Sequence, residues 1–264
     1  MPAIYAHYSF GKKVYRKMPG PMKKIVGKYG KEYVAGLQGP DFLFFFNPLV
    51  KNKYGQLAHQ IHDENASVFL ERAAKILKVT GMDSPEGSYI MGFICHFMLD
   101  SSCHGFVEKM IGETGECHTE QEMEFDRFMM EKDGRCALRC PVYRLVNDSQ
   151  ELAETMSVFY KGVSTFTVRT SQERMRLIKR LLFAPGIVKR SLLTGLLSLL
   201  FGSDSEYVSF VMKTSANPAC EEINEGLRER FYHAVPECIK EIDGFMKAVE
   251  HGGPLSARFE RNFC

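Results

Sequence analysis

Five of the eight histidines fall between residues 59 and 118, with carboxylates among them at helical spacing. The sharpest segment runs from Gly92 to His104, where His96, Asp100 and His104 are each four residues apart. On an α-helix a step of four drifts by only about 40°, so the three side chains share a face. Their neighbours Ile90, Met91, Phe93, Ile94, Phe97, Met98 and Leu99 are apolar. A helix that is apolar nearly all round is buried. Ionisable groups on its inner face then need partners, because an isolated buried charge is very costly. A divalent cation is such a partner.

Other residues repeat the theme. His118 and Glu122 are four apart, and His59 and His62 are three apart at the start of a helix, so either or both of the latter can face one site. Asp41 and His7 stand alone. Two pairs and a triad lie within the stretch 59–122. Histidine and carboxylate together are the ligands of hydrolytic zinc sites with an open position, whereas closed structural sites are usually cysteine-rich. Glu120 and Glu124 are expected on the solvated side of their helix, and Asp126 is placed to support Glu122 from one turn beyond. Cys95, Cys103 and Cys117 each directly precede a candidate histidine. Helix neighbours diverge by about 100°, so these thiols read as small core residues. Cys136 and Cys140 lack the second pair that a structural zinc site requires.

The elements that must position these residues are helical. Alternating β-branched runs bounded by turns are almost absent, and three-four apolar spacing is common. A helix is expected over 65–77, closed by Gly81. Asp83-Ser84-Pro85-Glu86 opens another that runs to about Ile111. A further helix starts near His118, and a long one spans about Glu221–Val249, with Pro236 expected to break or kink it. The segment Gly36–Pro48, with glycines, prolines and four phenylalanines, reads as a buried irregular loop that fixes a few side chains. A turn is expected within Lys132–Pro141. The fold class is therefore all-α, a multi-helix bundle forming a single domain over 1–264. Within it, residues 1–130 form the metal-binding region and residues 131–264 a helical C-terminal region.

The chain has 264 residues, enough to bury a core without disulfides. Its net charge of +2 and the lack of a basic-aromatic stripe count against nucleic acid as a partner. The start of the chain has no basic region followed by an apolar stretch, so the eight cysteines are expected to be mostly reduced and the protein cytoplasmic. No run of 18 or more apolar residues occurs, so no membrane-spanning helix is expected. The nearest approach, Leu192–Phe201, reads as a buried or domain-packing helix. Its basic neighbours Arg176, Lys179, Arg180, Lys189 and Arg190 also suit a surface segment that meets lipid or a hydrophobic substrate, a possible peripheral membrane contact.

Four segments carry a family resemblance: His7-Tyr-Ser-Phe-Gly, the Gly-Leu-Gln-Gly-Pro-Asp41 loop, the helix from Gly92 through His104, and His118-Thr-Glu-Gln-Glu122. Together they resemble a non-secreted branch of the bacterial zinc-dependent phospholipases C, across about residues 1–130. The resemblance implies a helical bundle of that type with two or three zinc ions. One zinc would take Asp41, His62 (with His59 as the alternate), His96 and Asp100. A second would take His104, His118 and Glu122, and a third His7 with bridging Asp100. Ile61 before His62 and Phe69 seven residues after it match the family's pattern and favour His62. The secreted members begin at a tryptophan freed by processing, whereas this chain has none.

The activity implied is hydrolysis of a phosphodiester, first a phospholipid head group, with Asp41 orienting or deprotonating the attacking water. A nuclease or a small-molecule phosphodiesterase could use the same site. The rival from another class is a non-catalytic, zinc-stabilised helical protein. The mixed His, Asp and Glu donors favour the hydrolase.

Overall fold

The computed structural model describes residues 4–203 and 205–263. No strand occurs among them. The helices are α1 (Ile4–Lys17), α2 (Gly20–Lys28), α3 (Gly30–Gly36), α4 (Lys53–Asp63), α5 (Ala66–Thr80), α6 (Pro85–Thr114), α7 (His118–Lys132), α8 (Gln150–Ser157), α9 (Thr165–Leu182), α10 (Ile187–Phe201), α11 (Glu206–Ser209) and α12 (Glu221–His251).

The axis of the molecule is α6. Ser84 caps it by accepting the Gly87 N–H, Pro85 occupies the first turn, and Gly115 ends it in a left-handed conformation at φ 73°. Residues 87–101 are buried without interruption, as its apolar composition requires. Its length and hydropathy would suit a membrane span, yet 78% of the relevant stretch is buried inside the protein. Here it is the core helix around which α3 and α12 pack most extensively.

Two glycines set the α3–α6 approach. A Cβ on Gly36 would lie 2.1 Å from the Tyr89 carbonyl oxygen, and one on Gly92 2.1 Å from that of Tyr33. Backbone atoms cannot yield such space, so only glycine permits this contact. It anchors the loop that follows α3. In that loop Gly39 sits at φ 49°, and Asp41–Phe45 forms a short 3-10 turn with Phe42 and Leu43 buried. The Tyr160 hydroxyl donates to the Gly39 carbonyl at 3.3 Å, and its ring meets Phe42 edge-on at 5.2 Å.

Pro236 does not break α12, which continues from Glu221 to His251. The proline lies on the solvent-facing side, as does Tyr232, whose carbonyl loses the bond. Water can satisfy that carbonyl, and packing on α6 holds both halves in line.

Leu192–Phe201 departs from the plainer expectation. It belongs to α10, whose single buried residue is Arg190, while its leucines are largely exposed. Glu120 and Glu124 also differ from expectation, being buried rather than solvated. Glu120 pairs with Lys213 and accepts from Asn217, while Glu124 accepts from Arg127 at 3.1 Å and from the Asn217 backbone at 2.9 Å. The segment 213–217 folds over that side of α7, a tertiary cover that local spacing does not reveal.

Candidate metal centre

Asp100 is at the centre of the site. Its Oδ1 lies 3.1 Å from His7 Nε2, and its Oδ2 lies 3.2 Å from His96 Nε2 and 4.0 Å from His62 Nε2. His62 Nε2 in turn lies 3.2 Å from Asp41 Oδ1. The His7 and His96 rings stack at 4.5 Å. Two triads therefore converge, His7 with His96 and Asp100, and Asp41 with His62 and His96, each with ligand atoms within 4.8 Å of one another.

Each side chain arrives by a different route. His96 and Asp100 share the inner face of α6, as their spacing demands. His62 comes from the last turn of α4, where its Nδ1–H donates to the Ala58 carbonyl at 2.8 Å. That bond fixes the ring with Nε2 facing Asp41. His59 is exposed and lies edge-on to Phe44 at 4.8 Å, outside the cluster. Asp41 is carried by the 3-10 turn after Gly39. A Cβ on Gly39 would fall 2.1 Å from the His96 ring, so this glycine lets the loop lie directly against the imidazole.

His7 is held by α7. The Asp126 carboxylate accepts the Tyr5 N–H at 2.9 Å and the Ala6 N–H at 2.7 Å, satisfying donors in the first turn of α1. Asp133 accepts from the Tyr5 hydroxyl and from Ser9 on the same helix, at 3.0 and 2.8 Å. The role expected of Asp126, support for Glu122, is thus replaced by a cap on α1. Phe263 closes the back of the site. Its ring lies 5.0 Å from His62 and 5.8 Å from His96, and its N–H donates to the His62 carbonyl at 3.1 Å. Neither Phe263 nor the capping role of Asp126 carried a signal in the sequence, because both depend on contacts more than 100 residues away along the chain.

The second predicted group is more open. His118 Nε2 lies 2.8 Å from Glu122 Oε1, and the His104 and His118 rings are 5.3 Å apart. His104 Nε2 turns toward Glu108, at 3.3 Å, an exposed carboxylate four residues on. Lys179 of α9 has the Phe45 and Phe210 rings 5.8 and 5.6 Å from its ammonium. Burial lowers its pKa, against the attraction of Asp126, Glu122 and Asp41. Lys179 and Asp126 both line a cavity of about 50 Å³ between α7 and α9.

The protonation of His96 and Asp100 suits a cation. Burial pushes His96 down to about 4, so it is neutral at neutral pH. Burial opposes ionisation of Asp100, but the facing His96 and His7 imidazoles hold it below the usual carboxylate range. Burial also works against a charged His62, yet the Asp41 carboxylate outweighs it and raises the pKa. Both ring nitrogens of His7 and of His96, both Asp100 oxygens, His62 Nε2 and Asp41 Oδ1 are buried and lack a hydrogen-bond partner among the described residues. Unsatisfied buried polar atoms are rare and costly. That so many converge on one point is what a divalent cation requires, and three imidazoles with two carboxylates form a donor set suited to zinc.

The fold and site together define a helical protein with a buried His/Asp cluster able to hold a metal. Comparison with known families agrees: residues 6–177 match the family described as zinc dependent phospholipase C. The chain belongs to the zinc-dependent phospholipase C family, and the matched region extends past the recognised motifs into α9. This membership implies a zinc-dependent hydrolase. No curated protein and no solved structure matches the chain.

Proposed function

We propose that this protein hydrolyses a phosphodiester, first a phospholipid head group, at a centre of two or three zinc ions. Asp41, His62, His96 and Asp100 would hold one zinc, His104, His118 and Glu122 a second, and His7 with Asp100 a third. When bound, zinc supplies Lewis acidity toward the phosphoryl oxygens and brings the pKa of a water toward neutrality.

The observation that carries this reading is the difference in access within the cluster. The side chains of Asp100 and His96 are fully buried, whereas that of Asp41 is 21% exposed. A ligand set sealed on one side and open on the other suits catalysis better than a purely structural role. Asp41 is the carboxylate that water can reach, so it would orient the attacking water and take its proton. Asp100 would stay ionised and immobile between His7 and His96. Phe263 would exclude water from behind. Lys179, which lines a cavity with Asp126, would meet a substrate phosphate. The small net charge gives little reason to prefer a nucleic acid as substrate.

Substitution of Asp41 by Asn tests the assignment. The variant is expected to retain zinc and to lose most turnover of a chromogenic phosphocholine ester, and chelation is expected to silence the wild type. A chelated protein that still turned over would contradict the proposal.

A further inference from the structure

The α9–α10 corner carries a surface inverted relative to a packed helix. α10 turns away from α9 by 113° and buries only Arg190. Its guanidinium is tied to the Ala184 and Pro185 carbonyls at 3.0 and 3.2 Å and to the Thr214 hydroxyl at 3.2 Å. Lys189 donates to the Phe183 carbonyl at 2.7 Å. These bonds fix the corner. The apolar residues point outward instead: Val188, Leu192, Leu196, Leu199 and Leu200 are 71, 69, 52, 82 and 62% exposed. At about 100° per residue they occupy one arc of about 120°, so they form a continuous stripe along the helix. A contiguous apolar stripe facing solvent marks an interaction surface.

The charge beside the stripe indicates what covers it. From Arg174 to Ser203 the chain has six basic residues, Arg174, Arg176, Lys179, Arg180, Lys189 and Arg190, and no acidic one. Arg190 is buried, Lys179 is half-buried and Arg176 is paired with Asp148, which leaves Arg174, Arg180 and Lys189 as the exposed cations. An outward leucine stripe with cations and no anions along the same segment is the pattern of a helix lying in a membrane interface with its charges at the headgroups. A second copy of this chain would set these like charges against one another.

We propose that α10 docks this protein on an anionic lipid surface, with Val188, Leu192, Leu196, Leu199 and Leu200 entering the headgroup–acyl boundary. The proposal goes beyond the hydrolase reading, because it concerns where the protein sits and would hold whatever bond the centre cleaves. The corner adjoins the cavity that Lys179 shares with Asp126, since Leu182, Phe183 and Ala184 also line it. Docking would therefore bring that side of the molecule to the lipid.

The test is co-sedimentation of the full chain with phosphatidylcholine vesicles, with and without phosphatidylglycerol, read as bound fraction rather than turnover. The wild type is expected to bind the phosphatidylglycerol vesicles and to release with salt. Leu196→Asn combined with Leu199→Asn is expected to weaken binding by about tenfold or more, since two apolar side chains are withdrawn from the boundary. Arg180→Gln is expected to weaken binding to the anionic vesicles alone. All three positions are exposed, and a circular-dichroism melt unchanged from wild type would confirm that folding is intact. A wild type that ignores the vesicles, or a double variant that binds them equally, would overturn the proposal. So would a wild-type dimer by light scattering that the double variant turns into a monomer, because the stripe would then be covered by a second copy.

Discussion

The carboxylate of Asp126, on α7, accepts both the Tyr5 and the Ala6 backbone N–H, at 2.9 and 2.7 Å, and so caps the helix that carries His7 into the metal centre. One helix therefore contributes His118 and Glu122 to the second group of candidate ligands and also fixes the helix that brings His7 to the first. The two ends of the site are coupled through α7.

Asp126→Ala should release the first turn of α1. Losing two hydrogen bonds to a buried carboxylate is expected to cost about 2–4 kcal/mol of stability. The variant should also hold less zinc than wild type, because His7 is no longer anchored. Denaturant melts and metal analysis check both effects.

Asp126 also makes stability depend on pH. Burial raises its pKa to about 6, against the two backbone N–H bonds that favour ionisation. A folded-state pKa above the unfolded value means that the contribution is complete below the unfolded pKa of 3.8 and is lost as pH rises through about 6. Asp126→Asn cannot ionise, so it is expected to gain on the metal-free wild type by up to about 3 kcal/mol between pH 4 and 7. It keeps a constant deficit from its single acceptor oxygen. Paired melts of the metal-free proteins across that range measure the difference. A gap that stays flat or narrows the other way would rule out a buried, reluctantly ionised Asp126.

Glycines on α6 should split into two classes. Gly92→Ala would place a Cβ against the Tyr33 carbonyl at 2.1 Å and is expected to destabilise by about 3 kcal/mol or more, forcing α3 away and moving the Asp41 loop with it. Gly112→Ala on the same helix meets no atom within 4 Å and should stabilise by about 1 kcal/mol through helix propensity. Thermal melts of the two variants give opposite signs if α3 and α6 touch as described.

How much was legible in the sequence follows from the same distinction between local and distant contacts. His96 and Asp100 were legible because both lie on one helix, and helical periodicity alone gives them a common face. The burial of α6 was legible from its composition. Spacing alone left His59 and His62 open, and the family resemblance favoured His62. What separates them in space is the Ala58 carbonyl and the approach of Asp41, and the latter depends on Gly36 and Gly92 meeting across two helices. Glu120 and Glu124 were misplaced because the segment that buries them lies about 90 residues further on. The exposure of α10 was illegible for the converse reason: a leucine-rich segment looks the same whether or not another element covers it.

Zinc uptake should follow the protonation of His62. Asp41 raises the pKa of this imidazole in the metal-free fold although burial opposes it, so a proton competes with the metal up to a higher pH than for an ordinary histidine. Zinc affinity is expected to climb through neutral pH and level off above it. His96, already neutral above about 4, should add no dependence in that range. Competition with a chromophoric chelator from mildly acid to mildly alkaline pH reads this, and His62→Ala should flatten the slope.

Substitution of Lys179 is expected to separate substrate binding from metal binding. Lys179→Met should keep the zinc content of wild type and raise KM for a phosphodiester by about tenfold, the loss expected for one charge-assisted contact. An unchanged KM would remove Lys179 from the substrate's path.

The most direct test of the central claim is zinc per chain on the purified protein, measured together with hydrolysis of a chromogenic phosphocholine ester before and after chelation. The convergence of His7, Asp41, His62, His96 and Asp100 predicts two or three zinc ions and turnover that disappears when they are removed. A protein that purifies without zinc and takes none up, or whose turnover survives chelation, would contradict it.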